Sequence, residues 1–253
     1  MLQMGRIIVQ IYEIQSPKEA ERLIDLGVDH IGSVLLSERD WKVPAIKETI
    51  SFCKKSQVKN CLIPLFRKKE TILRVIEYYQ PHIIHFCDAL IDDNGCMKQY
   101  DSLIRLQMSV KEGFPDIEIM RSLPLPPRGR SNKVPTLEIA KCFESSSDYF
   151  LVDTWLGRGP VEGFIGLTGR ICNWEMARRL VKTSSIPVIL AGGISPKNVY
   201  NGLLAVKPFG VDSCSKTNEL NKNGKSIRFK KDYEKVKKFI QEVRRAEKDI
   251  FGI

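Results

Sequence analysis

The chain has 253 residues, 43% of them hydrophobic and 13 of them proline, so it can bury a large core without staples and is not a low-complexity or disordered chain. Forty Lys and Arg against 30 Asp and Glu leave a formal charge of +10, which favours anionic partners, phosphate esters or nucleic acid, unless it is only a solvated basic surface. No run of 18 apolar residues and no basic-plus-apolar leader is present, and seven cysteines lack metal-ligand spacing; the expectation is a cytoplasmic chain with free thiols, no membrane span, no metal and no other cofactor.

Residues 6–12, Arg-Ile-Ile-Val-Gln-Ile-Tyr, form a short β-branched run that reads as a buried strand. Ser16 and Pro17 then supply a capping hydroxyl and a proline for the first helical position, and Ala20, Leu23, Ile24 and Leu26 before Gly27 read as a helix closed by glycine. A second strand over 28–36 completes one strand–helix–strand unit. The rhythm continues with a strand over 60–66, in which Pro64 needs an edge, bulge or end position, a helix over 69–79 and a strand over 82–86. A helix over 103–111 and a strand over 117–120 follow, then a proline-rich stretch, 123–132, that reads as a surface loop. Beyond it come a helix over 134–143, a strand over 149–152, a helix over 174–183 and a strand over 187–191. Ser195-Pro196 reads as a second Ser-Pro helix start, residues 210–213 as a short strand, and Tyr233, Val236, Phe239, Ile240 and Val243 as one face of a last helix.

Eight such units make a (β/α)8 TIM barrel, one domain over 1–253, the expected fold. An open doubly wound sheet is the alternative; it would need a glycine-rich fingerprint after the first strand, where Gln15-Ser16-Pro17 stands.

In a barrel, residues just after each apolar run share one mouth. Gly192 and Gly193, in Leu-Ala-Gly-Gly-Ile-Ser-Pro-Lys-Asn-Val over 190–199, can expose backbone amides with no Cβ in the way, and the following helix start can add its own N–H groups to hold a phosphate. A second glycine pair, Gly166 and Gly169, brackets Thr168 as a hydroxyl donor, with the charge of Arg170 beside it. Ser213, Ser215 and Lys216 at the eighth strand's end make a third element. A tight turn explains each glycine pair taken alone; their order and position favour an anion site. Asp153, closing the sixth strand, is the leading ionisable group for proton transfer, if it does not merely cap a turn or pair with a lysine. His85 is a binding residue or a packed core imidazole, and Arg39 a carboxylate clamp or a solvated side chain.

The stretches 26–32, 166–174, 190–199 and 210–215, with the Leu-Val-Asp-Thr run ending at Thr154, resemble the phosphoribosylanthranilate isomerase family, (β/α)8 enzymes of tryptophan biosynthesis. The resemblance spans nearly the whole chain and is densest over 149–215. It implies an Amadori rearrangement of N-(5'-phosphoribosyl)anthranilate, with a cysteine ending strand one as general base and an aspartate ending strand six as general acid. Asp153 matches the aspartate, but Tyr12 stands where the cysteine belongs, and a phenol near pKa 10 is a poorer base than a thiol near 8.5. Glu13 is one position away and can replace the thiol only from a bulge or loop, since neighbouring strand residues face opposite ways. Arg39 resembles the arginine that grips the anthranilate carboxylate. The family's Gln-Leu-His-Gly on strand four is His85-Phe-Cys-Asp88 here, and its glycine after the eighth-strand serines is Lys216, which adds a cation.

Two classes of function follow. The chain is an enzyme on a phosphorylated small molecule, either that isomerase with a rearranged base or a phosphometabolite enzyme of different chemistry; or it is a noncatalytic barrel that keeps an anion pocket. Nucleic acid is not an expected partner, because no recognised motif or aromatic–basic interleaving accompanies the charge. A homo-oligomer is compatible with the sequence, although no stripe marks an interface.

Overall fold

A computed structural model describes residues 5–92, 96–129, 134–157 and 161–252. In chain order it contains β1 (Ile8–Ile11), α1 (Pro17–Asp25), β2 (His30–Leu35), α2 (Pro44–Lys55), β3 (Lys59–Pro64), α3 (Lys69–Tyr79), β4 (Ile83–Phe86) and α4 (Asp101–Gly113). These are followed by β5 (Glu118–Leu125), α5 (Thr136–Phe143), β6 (Tyr149–Thr154), α6 (Trp174–Thr183), β7 (Val188–Leu190), α7 (Val199–Val206) and β8 (Gly210–Ser213). A hairpin, β9 (Asn218–Leu220) with β10 (Ser226–Lys231), precedes the last helix, α8 (Tyr233–Phe251). Strands β1 to β8 pair in parallel and in order, and β8 returns to β1 with Ser213 opposite Ile11, which closes the TIM barrel. Closure leaves no strand edge to protect. It also sets residues 12–14 beside 212–216, which are 200 positions apart in the chain.

Alternation along each strand divides the core in two. Outward residues such as Val9, Ile31, Leu123, Val152 and Leu190 pack with Leu23, Phe143, Leu180, Leu203 and Phe239 of the surrounding helices. Inward residues, among them Tyr12, Val34, Cys61, Ile83, Met120, Leu151 and Ile189, fill the barrel. Gln10 brings polarity into that interior: its Nε2 donates to Asp212 at 3.2 Å, and its Oε1 lies 3.2 Å from His30 Nδ1 and 3.3 Å from Cys61 Sγ.

Local signals place the elements. Ser16 caps α1 by accepting from the Glu19 N–H at 3.4 Å, with Pro17 in the first turn, an arrangement worth about 1 kcal/mol. Pro64 is the last residue of β3, the end position its missing N–H tolerates. Three expectations are corrected. The stretch read as a loop from residue 123 begins as strand: β5 runs to Leu125, with Leu123 opposite Val152 and Pro124 opposite Asp153, because the leucines on either side of Pro124 are buried; residues 130–132 of that stretch lie outside the described residues. Helix α7 starts at Val199 rather than at Ser195-Pro196, which form a turn held by the Asn198 side chain: it accepts from the Ser195 N–H at 2.8 Å and donates to Gly193 O at 3.1 Å. The hairpin β9–β10 was not foreseen at all. Among the described residues, no helix is long and apolar enough to cross a membrane.

Candidate active site

The loops after β6, β7 and β8 meet in a recess lined by Asp153, Gly169, Gly193, Asp212, Ser215 and Lys216, among others. Gly192 and Gly193 follow β7 with φ of +80° and +66°. A Cβ at Gly193 would lie 2.6 Å from the Arg170 carbonyl carbon, so only glycine lets the two loops touch. Ser213 Oγ donates to Ile194 O at 2.9 Å and ties the β7 loop to β8, so this serine shapes the recess through a hydroxyl that is already committed. The backbone N–H groups of Gly169, Gly193 and Ser215 have no hydrogen-bond partner within the described residues. Lys216 is exposed, with its ammonium group beside Gly169, and no described carboxylate pairs with it. Free amides and an unneutralised cation around one small space suit a phosphoryl group. Thr168 is outside this lining; its Oγ1 accepts from the Arg170 N–H at 3.3 Å and caps its own turn.

Asp153, at the end of β6, also borders a second, more apolar recess that contains Tyr12, Val34, Leu65, His85 and Phe164. Loss of solvation among these side chains raises its carboxyl to about pKa 6, although its Oδ1 accepts the Thr154 N–H at 2.6 Å. Asp212 lines both recesses too, and is buried. Burial first, and then the charge of Asp153, push it up to about 8, despite its bond from Gln10. Both carboxyls are thus raised towards neutrality, Asp212 further than Asp153. Asp212 is a candidate residue that the sequence places in a motif without giving it a role. The signal was its strand phase: alternation puts it between Gly210 and Cys214 on the inward face.

The β1 side of the mouth is occupied differently. Tyr12 is buried with its ring over Gly32, where any Cβ would overlap it. Its hydroxyl lies 2.6 Å from His85 Nδ1, and His85 Nε2 lies 2.8 Å from Ser122 Oγ. Burial lowers His85 to about pKa 3 and drives the Tyr12 phenol upward, so both stay neutral. Glu13 leaves β1 through a left-handed residue, φ +68°, which puts its carboxylate at the mouth as the loop placement required. There it accepts from Arg228 Nε at 2.6 Å, Asn218 Nδ2 at 3.0 Å and the Phe229 N–H at 3.3 Å. These donors, all from the hairpin region, hold its pKa below the usual value against the opposing effect of burial. Cys87 and Cys214 border the apolar recess, but burial raises both thiols, which removes a thiolate from the mouth. Arg39 is exposed beyond β2 and lines neither recess. On the outer face of β5, beside α4 and α5, Arg121 is fully buried and gives Nη1 to Asp88 at 2.9 Å and Nε to Gln107 at 2.6 Å, while its Nη2 has no partner among the described residues. No described group of three His, Cys, Asp or Glu side chains can hold a metal ion.

The structure therefore brings Asp153, Gly169, Gly192, Gly193, Ser213, Ser215 and Lys216 around one recess, with Tyr12, Glu13 and His85 around the adjoining one. Residues 118–242 match the family model for N-(5'-phosphoribosyl)anthranilate (PRA) isomerase. Over 246 residues the chain is 28% identical to the N-(5'-phosphoribosyl)anthranilate isomerase of Methanosarcina acetivorans, a match covering 93% of this chain and 92% of that protein. Over 153 residues it is 32% identical to N-(5'-phosphoribosyl)anthranilate isomerase 2 of Methanosarcina mazei, covering 60% of this chain and 58% of that protein. Among solved structures, phosphoribosyl anthranilate isomerase from Thermotoga maritima has the same fold, with a TM-score of 0.66 and 21% identity over 94% of this chain and 98% of that one.

Proposed function

Because the chain belongs to the N-(5'-phosphoribosyl)anthranilate isomerase family as a divergent member, we propose that it isomerises a phosphorylated sugar derivative held by its phosphate at the ends of β6, β7 and β8. The observation that carries this reading is that the free amides of Gly169, Gly193 and Ser215 share a recess with Asp153, a carboxyl raised to about pKa 6.

For an N-glycoside, the step begins with a proton delivered to the ring oxygen as the C1–O bond breaks and the nitrogen lone pair forms C=N. A proton then leaves C2, and the resulting enolamine tautomerises to the ketone. One proton is given and one taken, so an acid and a base suffice and no redox partner enters. In this assignment Asp153 and Asp212 share the donor and acceptor roles, which brings a β8 carboxyl in for the missing β1 thiol. Tyr12, a neutral phenol, and Glu13, saturated by the hairpin, shape the recess around the sugar. With N-(5'-phosphoribosyl)anthranilate as substrate, the protein would act in tryptophan biosynthesis in the cytoplasm.

Mixing the protein with that compound and following the loss of anthranilate fluorescence tests the reading. Turnover is expected, and Asp153→Asn should lower kcat by about 10²- to 10⁴-fold, the usual contribution of a positioned acid or base. An unchanged rate in the variant removes Asp153 from the chemistry. A second reading, binding of a phosphate ester without turnover, is favoured by Tyr12, which occupies the base position already bonded to His85; saturable binding with no product would establish it.

A further inference from the structure

The phosphate recess is not a dead end. Gly169, Gly193, Ser215 and Lys216 line it from inside and also form the inner wall of a larger groove on the outer surface of the barrel. Arg128, Arg170, Lys197, Lys235 and Lys238 join Lys216 along that groove, opposed by Asp232 and Glu234. Asp232 caps α8 and pairs with Lys235 at 3.2 Å. No described carboxylate pairs with any of the other five cations. Arg128 is held in place: its N–H donates to Ile171 O at 2.9 Å, and its guanidinium sits 5.4 Å from the centre of the Trp174 ring. Two leucines on the groove wall, Leu156 and Leu220, are 45% and 53% exposed, although most large apolar side chains of the chain are buried.

A monoester phosphate bound on the amides would present its free oxygens to this groove. Cations with no counter-charge beyond those oxygens, next to exposed apolar side chains, match a ligand that continues outward from the phosphorus. We infer that the site takes a pyrophosphate diester, with its inner phosphoryl group on the Gly169, Gly193 and Ser215 amides and that group's sugar towards Asp153, its outer phosphoryl group among Arg128, Lys197 and Lys238, and its second organic substituent along Leu156 and Leu220. This rests on the reading of the recess given under the proposed function and narrows its class of ligand.

Calorimetric titration with inorganic phosphate and with pyrophosphate tests it, on the intact protein and on a variant carrying Arg128→Ala, Lys197→Ala and Lys238→Ala. All three side chains are exposed, and matching melting curves will establish that the variant is folded. Pyrophosphate is expected to bind about tenfold more tightly than phosphate and to compete with it one for one, since three exposed charge contacts of ordinary size together reach that ratio. In the variant the advantage should fall below about threefold, with phosphate affinity changed less than about twofold. An advantage that persists in the variant, or equal affinities in the intact protein, overturns the inference and leaves the recess reading in place. Failure of both anions to bind overturns the two together.

Discussion

The two sides of the barrel mouth are built on opposite principles. On the β6–β8 side, polar groups are left open: among the described residues three backbone amides and the Lys216 ammonium have no partner, and two carboxyls are held above their usual pKa. On the β1–β5 side, polar groups are closed on one another: Tyr12 with His85 and Ser122, Glu13 with Arg228 and Asn218, Asp88 with Arg121 and Arg67. Open polar groups cost stability, whereas paired networks fix shape, and the pairing here is complete but for Arg121 Nη2 among the buried side-chain atoms of these named groups. The match to the family model, residues 118–242, begins at β5 and takes in the whole open side. The recess at the ends of β6, β7 and β8 thus lies within the matched stretch.

If this division is real, substitutions on the two sides should fail in different assays. The largest effect is expected on the closed side. Asp88→Ala strands the buried Arg121 guanidinium and should cost about 3–5 kcal/mol, read as a lower urea midpoint. Phosphate affinity of the folded fraction should stay within about twofold; a parallel loss of binding would join the two sides into one network. On the open side, Gly193→Ala forces a Cβ to 2.6 Å from the Arg170 backbone at a φ of +66°. It should weaken phosphate about tenfold or more, while costing about 1–3 kcal/mol of stability. Retained affinity would mean that the anion does not sit on that amide.

The pH dependence separates the two sides as well, and here they have opposite signs. Asp212, raised from 3.8 to about 8, holds its proton more tightly when folded, so its contribution to stability is full below pH 4 and is lost as pH rises towards 8. His85, lowered from 6.5 to about 3, does the reverse, and its contribution is lost as pH falls from 6.5 towards 3. Thermal melts should therefore show Asp212→Asn flattening the alkaline limb of the stability curve and His85→Gln flattening the acid limb. Identical curve shapes in both variants would mean that neither burial perturbs titration.

Much of the open side is visible in the sequence, because it is made of local backbone. Gly192-Gly193 and Gly166–Gly169 announce tight loops by residue type, and strand order alone puts them beside Ser215. The closed side is made of contacts between distant positions. Glu13 meets Arg228 across 215 residues, and nothing near either one announces the other. Asp212 was legible as a strand residue facing inward, but its proton depends on Gln10 and Asp153, which only the barrel brings near. The prolines of 124–127 hid the end of β5, since a missing donor reads as loop even where flanking leucines are buried. Residues 226–231 carry three Lys or Arg in six positions, so the outer arm of the hairpin reads as a solvated charged stretch.

One measurement bears most directly on all of this: a crystal structure of the protein with inorganic phosphate. The anion should lie within hydrogen-bond reach, about 3 Å, of the Gly193 and Ser215 nitrogens, with the Asp153 carboxyl facing the same space. An ordered phosphate at another site while this recess stays empty would contradict the account.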